Sequence, residues 1–227
     1  MSSEEPGTET APPSLLKRCY AELCGVFALV TVGCGAIVVN AQTGELGHLG
    51  ISLAFGLIIT IMVAATGHVS GAHLNPAVTV AFAVMGLFRR SEILAYLTAQ
   101  IVGAVLGAAT LLVLFGAETT LGSTVPSGSP WQSLLAETLL TAGLMFSITA
   151  VATGSHVKAT PAAIVIGAAV AVGALWGGPV SGASMNPARS FGPALISGTW
   201  DHHWIYWMGP ILGAVLGGLA YRLLEMD

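Results

Sequence analysis

Apolar residues in this chain run in long blocks instead of alternating with polar ones. Six blocks, Cys19–Val39, Leu49–Thr66, Ile93–Gly116, Leu134–Thr153, Ala159–Trp176 and Trp204–Leu224, are separated by short stretches rich in Gly, Pro, Ser and charge. Each holds about 20 residues, which at 1.5 Å per residue crosses the ~30 Å hydrocarbon layer of a bilayer as a helix. Two further blocks, after Asn75 and Asn186, hold only about eleven residues and reach roughly 16 Å, half a bilayer. The pattern predicts six spanning helices and two half-length ones.

Composition agrees with a chain solvated by lipid. Apolar residues make up 54% and charged residues 8%, whereas a soluble domain carries about 25% charged residues to cover its surface. The net charge of −4 leaves no footprint for nucleic acid. Cys19, Cys24 and Cys34 all fall in the first block; an odd number in one apolar segment argues against a disulfide framework, and no metal-ligand spacing appears. With no nucleophile constellation or nucleotide loop, neither a cofactor nor an enzyme is expected. Residues 1–14 are polar, acidic and Pro-rich without a signal-peptide core and are expected to form a disordered tail, leaving residues 15–227 as one membrane unit.

With the N-terminus inside, Lys17, Arg18, Arg89, Arg90, Lys158 and Arg222 all fall on the cytoplasmic side and only Arg189 does not. This is the asymmetry of the positive-inside rule, with both termini cytoplasmic.

The chain repeats itself. HVSGAHLNPA, His68–Ala77, returns as PVSGASMNPA, Pro179–Ala188. At nearly the same interval IVGAVLGA, Ile101–Ala108, returns as ILGAVLGG, Ile211–Gly218. CYAELCG, Cys19–Gly25, is echoed by LLAETLL, Leu134–Leu140, aligning Glu22 with Glu137. Three matches in the same order divide the unit into halves at about 15–116 and 131–224. Each half holds three spans, an odd number, so the halves enter the membrane from opposite sides as an inverted repeat.

Asn is a preferred helix N-cap and Pro is favoured at the first helical position. Asn75-Pro76-Ala77 and Asn186-Pro187-Ala188 therefore start the two half-length helices. Gly67–Leu74 and Gly177–Met185 before them suit extended backbone, tolerated at membrane depth only where it is buried or lines a watery path. Inversion brings the two starts together near the midplane.

These paired boxes, SGAHLNPAVT and SGASMNPARSFGPA, resemble those of the aquaporin or major intrinsic protein family, and the resemblance spans about Lys17 to Leu224. It implies an all-α membrane fold of six transmembrane helices plus two re-entrant half-helices, and a passive single-file water channel that excludes ions and protons. It implies that Asn75 and Asn186 donate to a central water, and that carbonyls of Gly71, Ala72, His73, Gly182, Ala183, Ser184 and Met185 form an acceptor ladder. Leu29, Ile59, Leu144 and Val170 match the apolar wall opposite. Phe55, Ala174, Ala183 and Arg189 match the selectivity filter. The resemblance further implies a homotetramer in a cell membrane, and Gly103, Gly107, Gly213 and Gly217 permit close helix packing either between subunits or within one.

The filter departs from that of strict water channels, which carry a histidine where this chain has Ala174. Ser190, Ala194 and the pair Tyr206-Trp207 resemble the water branch. The combination is a water-type frame with an enlarged ring, and the alternative is a broader channel for glycerol, urea, ammonia or hydrogen peroxide. Ala183 stands where many aquaporins carry a cysteine, so weak block by mercury is expected unless Cys24 or Cys34 reaches the pore. An adhesion protein with a vestigial pore has little outer loop to work with, and no coupling-ion site suggests a secondary transporter.

Glu22 and Glu137, acids inside apolar spans, are functional by default; their repeat-matched placement suggests that each braces a re-entrant loop by accepting backbone N–H groups, rather than relaying protons. His68 and His73 are expected to brace their loop, His202-His203 to be a solvated surface pair without a third metal ligand, and His156 with Lys158 to lie in a solvated turn, with a cytoplasmic gate as the other reading.

Overall fold

The computed structural model describes residues 12–117, 120–153 and 159–225. His156 and Lys158, and residues 1–11 of the expected tail, lie outside them. The described residues form helices and connecting turns and no strand. Helix α1 runs Leu15–Thr43, α2 Gly47–Ser70, α3 Pro76–Val84, α4 Ile93–Phe115, α5 Pro130–Thr153, α6 Ala159–Ser181, α7 Pro187–Ser197 and α8 Ile205–Arg222. Five of these, α1, α2, α4, α5 and α6, are long and apolar enough to cross a membrane. The sixth, α8, holds 18 residues and ends on Tyr221 and Arg222. Ser14, expected in the tail, instead caps α1 by accepting from Lys17 N at 3.4 Å.

Three bounds differ from those expected. The first span extends to 29 residues: it passes through a wide π-helical turn at Val30–Cys34 and stops only at Gly44, which takes the left-handed cap at φ 73°. The non-helical stretches shrink to four residues each: α2 and α6 continue through the Gly- and Ser-rich segments to Ser70 and Ser181, and stop only where Gly71 (φ 84°) and Gly182 (φ 82°) adopt the left-handed conformation. A residue without Cβ takes that cap at no steric cost. The first half-helix, α3, holds nine residues and α7 eleven.

The elements pair as the repeat requires, α1 with α4, α5 with α8, and α2 with α6 across the two halves. Glycine makes each close approach. A Cβ at Gly103 would land on the carbonyl of Leu23 and one at Gly107 on Phe27 O, while Gly213 and Gly217 sit against the carbonyls of Thr138 and Ala142. Gly56 and Gly167 face each other between α2 and α6. Small residues let helix backbones meet in lipid, where dispersion replaces the hydrophobic effect as the driving force. The four glycines that sequence left open between subunit and intrachain contacts are thus used within the chain.

One face of the bundle is basic. Arg18 of α1 forms a two-pronged ion pair with Glu92 at 2.7 and 2.9 Å, Arg89 lies 3.8 Å from the same carboxylate, and Arg222 of α8 donates to Met85 O at 2.8 Å, just past the end of α3. That last contact places a cation at a helix C-terminus, where carbonyls lack intrahelical partners.

Candidate functional site

The two half-helices start against each other. In both, the Asn backbone is extended and Pro76 or Pro187 follows at the first helical position. Asn75 Oδ1 accepts from Ala77 N at 2.9 Å, and Asn186 Oδ1 accepts from Ala188 N at 3.0 Å and Arg189 N at 3.3 Å. The amide nitrogens then cross over: Asn75 Nδ2 donates to Met185 O at 2.7 Å, and Asn186 Nδ2 donates to Leu74 O at 2.8 Å. Each asparagine caps its own half-helix and ties down the residue preceding the other. One N–H of each amide is committed this way, and both side chains line a central cavity.

The four-residue stretches share one backbone pattern. Gly71, Ala72 and Leu74 have positive φ, as do Gly182, Ala183 and Met185. For Ala, Leu and Met this costs roughly 1 kcal/mol or more each, and buried carboxylates hold it. Glu22, fully buried, accepts from Ser70 Oγ (2.7 Å), His73 N (2.9 Å), Leu74 N (2.6 Å) and Gln100 Nε2 (2.8 Å). Glu137, also fully buried, accepts from Ser181 Oγ (2.7 Å), Ser184 N (2.8 Å) and Met185 N (2.8 Å). Tyr96 and Tyr206 donate to Ser70 O and Ser181 O, both at 2.8 Å. Sequence reading missed Ser70, Ser181 and Tyr96 and gave Tyr206 no such role, although Ser70 stands to Ser181, and Tyr96 to Tyr206, at the interval of the repeat.

Two cavities meet end to end. The central one is lined by the predicted wall residues Leu29, Ile59, Leu144 and Val170, by Gly71, Ala72, His73, Ser184 and Met185, and toward the basic face by Val63, Phe82, Ile148 and Ile166. The second opens on the opposite face and is lined by Gly182 with His48, Ser52, Ser123, Ser127 and Gly178 among others. Four residues line both: Phe55, Ala174, Ala183 and Arg189. They form the neck, and they are the four positions matched to the filter. Met185 O, matched to the ladder, is engaged by Asn75.

Arg189 is the only charged side chain among the described residues lining either cavity. It is 1% exposed, donates through Nη1 to Gly122 O at 2.7 Å, and stands 4.9 Å from the centre of the Phe55 ring. The π-helical turn supports both partners. Gly33 within it leaves the space that the Phe55 ring fills, and Cys34 packs against Gly122. Sequence carried no signal for Gly122, which lies in an irregular loop without periodicity.

His73 braces its loop as expected, with Nδ1 3.1 Å from Thr79 Oγ1 and the ring against Phe82, Phe88 and Tyr96. His68 makes no such contact among the described residues. His202 is exposed, but His203 is not the solvated neighbour expected: it packs against Phe191, Trp200 and Tyr206 and accepts from Trp207 Nε1 at 3.3 Å. Burial pushes its imidazole below the ordinary pKa.

A family model described as Major intrinsic protein matches residues 9–221. The chain is 44% identical to Aquaporin NIP1-1 of Zea mays over 212 residues, covering 92% of this chain and 75% of that protein. It is 42% identical to Putative aquaporin NIP4-1 of Arabidopsis thaliana over 214 residues, 93% and 75% of the two chains. The X-ray structure of the aquaglyceroporin from Plasmodium falciparum superimposes with a TM-score of 0.85 at 23% identity, covering 94% of this chain and all of that one, and so shares the fold. An inverted pair of Asn-Pro-Ala half-helices meeting in a lined passage, a family match over nearly the whole length and two aquaporin relatives of high identity make this chain a member of the major intrinsic protein family, a multi-pass membrane channel and not an enzyme.

Proposed function

We propose that the chain conducts water and small uncharged solutes by passive diffusion through the joined cavities. The observation that carries this reading is the neck: two of its four residues are alanines, so Phe55 and Arg189 alone supply bulk. Along the passage, the apolar wall leaves a solute few partners except carbonyls of Gly71, Ala72, His73, Gly182, Ala183 and Ser184 and the free N–H of Asn75 and Asn186. Each half-helix start carries roughly +0.5 charge. Two facing starts with Arg189 oppose cations and migrating protons, a barrier for which aquaporins are themselves the reference case. The names of the relatives, aquaporins on one side and an aquaglyceroporin on the other, support water and glycerol as the solutes to test.

The basic face would lie in the cytoplasm, with both termini inside, and the Arg189 side would open outward, in a cell membrane. A homotetramer rests on family resemblance alone.

Stopped-flow light scattering on proteoliposomes tests the reading. Shrinkage in sucrose faster than in empty liposomes, with re-swelling in glycerol or urea, is expected. Ala174→His should restore a polar, bulkier neck and lower glycerol permeability by about tenfold, an estimate equal to one lost fit of ~1.4 kcal/mol, while water flux persists. Shrinkage without re-swelling in the unmodified protein would instead establish a strict water channel.

No cysteine lines either cavity among the described residues, and Cys34 is buried. Mercuric chloride should therefore leave water flux largely intact, whereas Ala183→Cys should confer block that thiols reverse. Strong thiol-reversible block without that substitution would mean that a cysteine reaches the passage.

A further inference from the structure

Pro179 lies inside α6, two residues before its end. It has no N–H, so the carbonyl four residues earlier, Leu175 O, loses its intrahelical donor. His48, in the first turn of α2, fills that vacancy: its Nε2 lies 2.6 Å from Leu175 O. A carbonyl can only accept, so Nε2 carries the hydrogen, and in the neutral ring Nδ1 is left as the acceptor. Gly178 makes the approach possible, since a Cβ there would stand 2.6 Å from His48 Cε1. Ser52 Oγ donates to His48 O at 2.9 Å and steadies the turn that holds the ring. Among the described residues Nδ1 has no partner, and His48 lines the cavity outside the neck together with Arg189.

We propose that His48 is a specificity-determining residue of the outer cavity, whose Nδ1 accepts a hydrogen bond from small neutral solutes bearing several hydroxyl groups as they approach the neck. This rests on the wide-neck reading above. Such a solute must shed several hydration waters before entering an apolar passage, and each unreplaced bond is costly. Arg189 offers only donors and His48 Nδ1 an acceptor, so together they replace both kinds of bond before the neck is entered. Water, with one small shell to exchange, gains little from the arrangement. The bond to an orphaned carbonyl sets the tautomer and makes the acceptor permanent in the neutral ring.

Glycerol and water permeabilities are measured on the same proteoliposomes for the unmodified protein, His48→Leu and His48→Gln, with thermal stability in detergent alongside. Leu removes both ring nitrogens, whereas Gln can donate to Leu175 O and still present an oxygen. His48→Leu is expected to lower glycerol permeability by about tenfold, the scale of one hydrogen bond, with water permeability within about twofold, and His48→Gln to retain most glycerol flux. A glycerol-to-water ratio unchanged in His48→Leu overturns the inference, as does a parallel fall of both permeabilities with stability, which marks a purely structural bond. Equal loss of the ratio in Gln and Leu overturns it too. No glycerol flux in the unmodified protein overturns the wide-neck reading and this inference with it, whereas wild-type flux that survives His48→Leu overturns this inference alone.

Discussion

Glu22→Gln is expected to destabilise the protein by about 3 to 5 kcal/mol, the scale on which a buried charged acceptor is lost while its partners stay buried. The carboxylate accepts four bonds, two at each oxygen: Ser70 Oγ and His73 N at Oε1, Leu74 N and Gln100 Nε2 at Oε2. Glutamine keeps one oxygen. Whichever way its amide turns, an NH2 group faces two donors that are already buried. The strained positive-φ residues Ala72 and Leu74 lose the anchor that holds them. Glu137→Gln is expected to cost less, about 1 to 3 kcal/mol, because placing its amide at Oε2 displaces one donor, Met185 N. Thermal unfolding in detergent followed by tryptophan fluorescence separates the two. Equal effects, or none, would show that the carboxylates are not what holds the re-entrant stretches.

Arg189→Val is expected to raise proton and sodium leak through reconstituted protein. At ~5 Å and an effective dielectric near 20, one positive charge opposes a cation by about 3 kcal/mol, more than a hundredfold. The rise should stay at or below that figure because the half-helix starts at Asn75 and Asn186 still face the passage. The substitution also frees Gly122 O from its donor and removes the side chain resting on Phe55, so the neck should widen. Liposomes loaded with a pH-sensitive dye report the leak directly. If it does not rise, the two asparagine-capped helix starts carry the whole barrier.

Much of this was present in the one-dimensional pattern. Span length follows from bilayer thickness, so six long apolar blocks and two half-length ones could become little other than spanning and re-entrant helices. The boxes at Asn75 and Asn186 announced helix starts because capping is local chemistry between a side chain and backbone two residues on. The repeat interval aligned Glu22 with Glu137, and the structure uses both in the same way. The same interval would have exposed Ser70 with Ser181 and Tyr96 with Tyr206.

What sequence did not reveal is set by neighbours remote in the chain. That α1 passes through a π-helical turn, that Gly33 and Cys34 there seat Phe55 and Gly122, and that Gly122 then receives Arg189 are matters of packing between separate segments. The crossed bonds of Asn75 to Met185 O and Asn186 to Leu74 O exist only once the halves are inverted against each other. The bond from His48 to Leu175 O joins the two halves. Local signals travel along the chain because they depend on helix geometry and side-chain reach within a turn. Pairing across the bundle depends on which backbone groups remain unsatisfied in lipid after the helices have formed, and tertiary structure alone settles which side chain reaches them.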